Sequence, residues 1–261
     1  MTQTIAFVRK PGSSFTQAIS SHPGKKTINI ERARSQHQSY VSALQEAGIE
    51  VVIFPALEDY PDAPFVEDTT VVFEHVAVAC SNKEKLRQGE GESIHTEIKK
   101  YRQVEVLPKF ATLDGGDVLN TEEKLFVGIS NRTNLRAVEA LAKIARKPVV
   151  PVEVTFGLHL KTVATYLGKN TLVLDPSSLK TDTLDEFKWI KTEKSDRYAA
   201  NCLAIGNNVL MAAGCKNVAR KIREEGFKTI ELDMSEFEKA NGGPTCLSIV
   251  FKKDVSDSPA M

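Results

Sequence analysis

LDGGDVLNTEEKLFVGISNRTNLRAVEALAKIAR, residues 113–146, carries the pattern that decides the fold. After two glycines, Val118 and Leu119 lead into a polar turn at Thr121-Glu122-Glu123, and KLFVGIS (124–130) follows as the second arm of a hairpin. From Thr133 the period changes. Leu135, Val138, Leu141, Ala142 and Ala145 stand three and four apart, which predicts an amphipathic helix over 133–146.

The same order of hairpin, helix and strand recurs on both sides. Further polar turns fall at Glu74-His75, Gly168-Lys169-Asn170 and Asn207-Asn208; counted through Glu74, Glu122, Lys169 and Asn207, the spacings are 48, 47 and 38 residues. Strands are predicted at 4–8, 51–54, 69–73, 76–80, 170–175, 202–206, 208–213 and 246–251, and helices at 32–47, 92–101, 185–191 and 216–225. The class is α/β. No G-x-G-x-x-G follows a strand, which argues against a nucleotide-binding doubly wound sheet. A propeller-like ring of ββαβ units fits better, with loops from different units gathering polar residues around a central channel. No linker divides residues 1–261, so a single domain is expected.

Charge narrows the partners. Thirty-four basic residues balance 34 acidic ones, so no positive field draws in nucleic acid or a membrane surface. The apolar run at the N-terminus is broken by Arg9 and Lys10, and no later stretch approaches a membrane span, so a cytoplasmic protein is expected. Cys80, Cys202, Cys215 and Cys246 lack C-x-x-C spacing and read as free thiols, with roles for the first three left open and packing favoured for Cys202. Oligomeric state also stays open, a homodimer included.

Four segments can carry chemistry. PDAPFVEDTT places Asp62, Glu67 and Asp68 before a β-branched strand, either as a cation-attracting mouth or as a solvated loop. In LDGGDVL, Asp114 and Asp117 flank two glycines that allow close backbone approach to a ligand, although a simple turn has the same look. GLHLKT sets His159 at the start of an expected strand, on the face opposite Leu158 and Leu160, as a general acid/base or as a buried structural histidine. NGGPTCLSIVF delivers Cys246 to the first residue of an apolar strand, with Cys246 and Ser248 on one face, as an exposed nucleophile or a core thiol. None of these residues has the short spacing of a zinc motif, so no metal is expected. Acyl transfer suits a Cys/His/Asp set, but several extra carboxylates line such a site poorly; they call for a cationic substrate.

Taken in order, FVEDTTVVF, ATLDGGDVL, FVGISNRTN, GLHLKT, AANCL and GGPTCLS resemble the dimethylarginine dimethylaminohydrolases of the guanidino-group-modifying superfamily. The resemblance runs from ERARSQHQ (31–38) to Cys246-Leu247-Ser248. It implies a five-bladed α/β propeller of pentein type and hydrolysis of Nω-methylated free arginine to citrulline and dimethylamine or methylamine, without a cofactor. By the same resemblance Cys246 is the nucleophile, His159 the general acid/base, and Asp114 the carboxylate that orients the guanidinium. Asp68, with Glu67, is a second acidic contact; Asp62, Arg87 and Arg132 serve the amino-acid end of the substrate, and the carbonyls of Ile19 and Ala240 its ammonium. Arginine deiminase-type release of ammonia and a catalytically silent arginine-analogue binder remain alternatives.

Overall fold

The computed structural model describes residues 2–254, and their strands form five three-stranded sheets. β1 (Thr2–Arg9) leads through a long loop into α1 (Ile30–Glu46), and β2 (Glu50–Phe54) returns parallel to β1. Asn29 caps α1 by accepting the Arg32 N–H, and Ala33, Tyr40, Val41 and Leu44 form its buried stripe. The next unit has β3 (Thr70–Val72), β4 (Ala77–Ala79), α2 (Glu92–Ile98) and β5 (Val104–Val106). The third has β6 (Val118–Asn120), β7 (Leu125–Ile129), α3 (Leu135–Ile144) and β8 (Val149–Glu153). In both, the hairpin is antiparallel and the strand after the helix is parallel.

The fourth unit opens on a one-turn helix, α4 (Leu160–Val163), followed by β9 (Ala164–Gly168), β10 (Thr171–Leu174) and β11 (Lys188–Lys191). The fifth has β12 (Leu203–Ile205), β13 (Asn208–Ala212), α5 (Lys216–Glu224) and β14 (Lys228–Leu232), then a short α6 (Ser235–Lys239). Finally β15 (Ile249–Asp254) pairs antiparallel with β1, so the two ends of the described chain complete one blade. The result is the expected α/β propeller-like ring of five blades, four of them ββαβ and the remaining one, the fourth unit, with an irregular link in place of the helix between its last two strands.

A single blade cannot bury both faces of its sheet, and the hydrophobic core is accordingly split into five clusters, one at each junction between neighbouring blades. Phe7, Phe54 and Phe251 of the first blade, for example, meet Val66, Ala77, Ile94 and Ile98 of the second. The inner strands β3, β6, β9, β12 and β15 line a central channel of about 310 Å³ whose wall includes Glu67, Asn120, Lys161, Thr165 and Thr245.

Three local expectations are corrected. Residues 185–191 are not a helix: Leu184, Phe187 and Ile190 are three apart, but they fill the third junction from an irregular link and the fourth from β11, where Ile190 pairs with Val173. His159 does not open a strand; it caps α4, accepting the Thr162 N–H on its carbonyl while its own N–H bonds Thr162 Oγ1 at 3.3 Å. Cys246 lies in a 3-10 turn, Thr245–Leu247, two residues short of β15.

Candidate active site

Each inner strand is approached through a short turn: Val66–Thr69 before β3, Gly115–Asp117 before β6, α4 before β9, Lys194–Ala200 before β12 and Thr245–Leu247 before β15. These turns touch one another around the ring and bring Glu67, Asp68, Asp114, His159, Asn201 and Cys246 together. Every one of these side chains is buried.

His159 Nε2 lies 3.0 Å from Asp114 Oδ2, and Nδ1 lies 3.8 Å from Asp68 Oδ1. Burial alone lowers the imidazole pKa, but Asp68, the hydrogen bond to Asp114 and the charge of Asp117 outweigh it and raise the value to about 9. His159 is therefore an imidazolium at neutral pH. The paired glycines make this approach possible. A Cβ on Gly116 would stand 2.7 Å from both Asp68 Oδ1 and His159 Nδ1, and one on Gly115 would stand 2.0 Å from the Glu67 carbonyl oxygen.

Burial favours the neutral form of Asp68, but His159 and Arg87 prevail and hold it near 2; Arg87 Nη1 donates to Oδ2 at 2.6 Å and the Gly116 N–H to Oδ1 at 2.9 Å. Glu67 is pushed upward by burial against the opposing charge of Lys161, whose Nζ is 2.6 Å away, and it also accepts Thr245 Oγ1–H at 2.9 Å. The Cys246 thiol is pushed up to about 12, first by burial and then by Glu67 and Asp68. Asn201 Nδ2 at 3.7 Å and the Gly243 N–H at 3.4 Å face its sulfur.

Asp62 is buried and accepts the Ile19 N–H at 3.1 Å; burial raises its pKa, and both Arg87 and Arg132 act on it electrostatically. Arg87 is held by Asp68, by Glu90 Oε1 (Nε at 2.9 Å) and by the Phe65 carbonyl at 3.1 Å. Arg132 Nη1 lies 3.6 Å from Asp114 Oδ2 and is buried without a hydrogen-bond partner. Ile19 and Ala240 are drawn to the same side by Ser20 Oγ, which bonds the Lys239 carbonyl at 2.7 Å.

Asp68, Asp114 and His159 also form the one cluster among the described residues whose ligand atoms lie within 4.8 Å of one another. Each carboxylate oxygen of Asp68 and Asp114 already accepts one hydrogen bond, from Arg87, Gly116, Asn82 or His159, and keeps a second lone pair, while the nearby charges of Arg87, Arg132 and His159 oppose a bare dication.

A family model of eukaryotic N,N-dimethylarginine dimethylhydrolases matches residues 12–250. The N(G),N(G)-dimethylarginine dimethylaminohydrolase of Pseudomonas aeruginosa is 31% identical over 93% of this chain and 97% of its own. That of Streptomyces coelicolor is 31% identical over 95% and 97%. The chain belongs to the dimethylarginine dimethylaminohydrolase family. The Pseudomonas family member, solved as a cysteine-to-serine mutant with citrulline, superposes with a TM-score of 0.91 at 28% identity, covering 96% of this chain and all, 100%, of the other. A dimethylarginine dimethylaminohydrolase histidine-to-glycine adduct with S-methyl-L-thiocitrulline gives 0.90 at 29% identity, with the same 96% and 100% covered. The N-terminal domain of a cyanobacterial arginine dihydrolase shares the fold, with a TM-score of 0.89 at 22% identity over 95% and 97% of the chains. As a member of the dimethylarginine dimethylaminohydrolase family, the chain is a cysteine-dependent hydrolase. Among the described residues no helix is long and apolar enough to cross a membrane.

In this dimethylarginine dimethylaminohydrolase-family site, sequence reasoning passed over four residues and left a fifth, Asp117, without a role. Lys161 is the counter-ion of Glu67; Asn82 bonds Asp114 Oδ1 at 2.8 Å; Glu90 holds Arg87; Asp117 accepts the Leu160 N–H at 2.8 Å beneath His159; Asn201 faces the thiol. Lys161 and Asn201 lie inside the segments GLHLKT and AANCL, where their equivalent place before an inner strand is a usable signal. Asn82 and Glu90 sit in polar loops with no such mark.

Proposed function

We propose that the chain hydrolyses Nω-methylated free arginine, asymmetric dimethylarginine and monomethylarginine, to citrulline and dimethylamine or methylamine through a covalent Cys246 thiouronium intermediate. The observation that carries this reading is the state of the Cys246 thiol. Burial, Glu67 and Asp68 together keep it protonated, and a cation entering beside the sulfur reverses the electrostatic part. A guanidinium both supplies that cation and presents the carbon to be attacked.

In this scheme the side chains of Asp114 and Asp68 orient the planar guanidinium. As the cation binds, the Cys246 thiol gives its proton to solvent, and the thiolate adds to the central carbon, forming the S–C bond and a tetrahedral adduct. Dimethylamine then departs as the C–N bond breaks, taking the proton of the His159 imidazolium, and the thiouronium remains. Neutral His159 next deprotonates a water; hydroxide adds to the carbon, the C–S bond breaks, and citrulline leaves. Net, one water is consumed and one amine released. No cofactor takes part.

The amino-acid end is assigned to Arg132, Asp62 and Arg87, with the Ile19 and Ala240 carbonyls as acceptors for the ammonium. The buried Nη1 of Arg132, which has no hydrogen-bond partner among the described residues and only a 3.6 Å ion pair with Asp114, supports an anion-binding role. Arg87 contributes positive charge to the same region although its hydrogen bonds go to protein groups. The cytoplasm is the proposed compartment, supported by four cysteines that are all free.

The reading is tested by measuring citrulline from asymmetric dimethylarginine, monomethylarginine and arginine side by side. Faster turnover of the methylated substrates is expected. A faster rate on arginine, or no citrulline from any of the three, overturns it.

A further inference from the structure

Four of the five turns around the site supply a side chain with a part in the chemistry above: Asp68, Asp114, His159 and Cys246. The fifth, before β12, supplies Asn201, which is 2% exposed and has its amide flat against Gly243, where a Cβ would stand 2.4 Å from Asn201 Cγ. Its two polar ends go to one place. Oδ1 accepts the Thr245 N–H at 3.1 Å, and Nδ2 points at Cys246 Sγ from 3.7 Å.

We propose that Asn201 is a further catalytic group of this site, donating from Nδ2 to the Cys246 thiolate while Oδ1 fixes the turn that carries it. This deepens the proposed hydrolysis and rests on Cys246 being its nucleophile. The groups facing the sulfur make the need clear. Glu67 and Asp68 oppose its ionisation from the turn before β3, Tyr40 of α1 and Tyr198 of the turn before β12 stand near it, the Gly243 N–H donates to it, and Thr245 Oγ1, whose hydrogen goes to Glu67, lies 3.9 Å away. Stabilising a thiolate lowers its intrinsic reactivity, but for a thiol held far above neutral pH the gain in thiolate population is larger. A rise of about one in thiol pKa removes about tenfold of the thiolate and returns about threefold in nucleophilicity, a net loss of about threefold.

A purely structural asparagine would act only through Oδ1. Asn201→Asp keeps that acceptor and replaces the donor with a carboxylate, while Asn201→Ala removes both. The experiment follows alkylation of Cys246 by iodoacetamide and by cationic chloroacetamidine from pH 8 to 10, with peptide mapping, in the whole chain and both variants. The expected result is a rate against pH displaced to higher pH in both variants, with iodoacetamide slowed about threefold by Asn201→Ala and about tenfold by Asn201→Asp, whose carboxylate adds like charge. A wild-type rate in Asn201→Asp, or a loss there no greater than in Asn201→Ala, overturns the proposal, because a role through Oδ1 alone spares the aspartate. Iodoacetamide needs only a thiolate, so this result stands apart from the citrulline assay; an inactive wild type removes the proposed function and leaves the role of Asn201 at the sulfur measurable.

Discussion

Arg87 Nη1 meets Asp68 Oδ2 at 2.6 Å, with side chains only 3% and 4% exposed, and the far side of the same guanidinium is gripped by Glu90. Two carboxylates, one of them the Asp68 assigned to the substrate, thus share one buried guanidinium. Removing Arg87 leaves Glu90 buried without its cation and Asp68 with only His159 and the Gly116 N–H. Arg87→Leu is expected to lower unfolding stability by about 3–5 kcal/mol in denaturant titration, with Arg87→Lys intermediate; a loss below about 1 kcal/mol would show that the pair does not hold the site together.

His159 ties stability to pH. Its folded pKa of about 9 lies above the ordinary 6.5, so its contribution is fully present below pH 6.5 and is lost as pH rises through 9. Between pH 6 and 10 the stability advantage of wild type over His159→Gln should shrink by about 3 kcal/mol. In catalysis the same titration predicts that kcat falls on the alkaline side, because in the substrate complex the thiol is already ionised and the proton for the departing amine is lost from His159. A flat stability difference across that range contradicts the assignment.

Gly116 tests the closeness of the site. The methyl of Gly116→Ala would press on Asp68 and His159 at 2.7 Å from each. Turnover should fall about a hundredfold while the unfolding midpoint moves little by comparison, because the displaced atoms belong to the site rather than to the junction cores. Activity within twofold of wild type would mean that the two side chains need no such placement.

The Lys161–Glu67 pair lies at the wall of the channel, and Lys161 is 18% exposed. Lys161→Met should cost about 2 kcal/mol by leaving Glu67 buried without its counter-ion. The double variant with Glu67→Gln should recover part of that loss in a double-mutant cycle. Strict additivity argues that the two side chains are not coupled.

The alternation around Thr121-Glu122-Glu123 and the helical stripe after Thr133 made the blade legible, because each is a local pattern with its own period. The closure of β15 on β1 was not, since that blade is split between the two ends of the described chain and shows no repeat spacing. Leu184, Phe187 and Ile190 misled for a related reason: their spacing is helical, while the packing that fixes them lies across two different blade junctions. Asp114, His159 and Cys246 stood out by residue type and nearby glycines, and Asp68 by the carboxylates clustered before a β-branched strand. Their strand assignments erred for His159 and Cys246 because both lie in turns just ahead of the strand, and it is the turn that aims them inward. Asn82 and Asn201 act through contacts between distant loops, which spacing along the chain does not encode, and Glu90, three residues from Arg87, gains its weight from a burial that a polar loop does not announce.

The central claim is that Cys246 attacks the guanidinium carbon. It is tested most directly by quenching the enzyme with acid during turnover of asymmetric dimethylarginine and mapping the modified peptide by mass spectrometry. The account predicts a transient adduct on Cys246 alone, with the mass of the substrate less dimethylamine, and neither adduct nor citrulline from Cys246→Ser. Citrulline formed at an undiminished rate by Cys246→Ser, or an adduct on another residue, would contradict it.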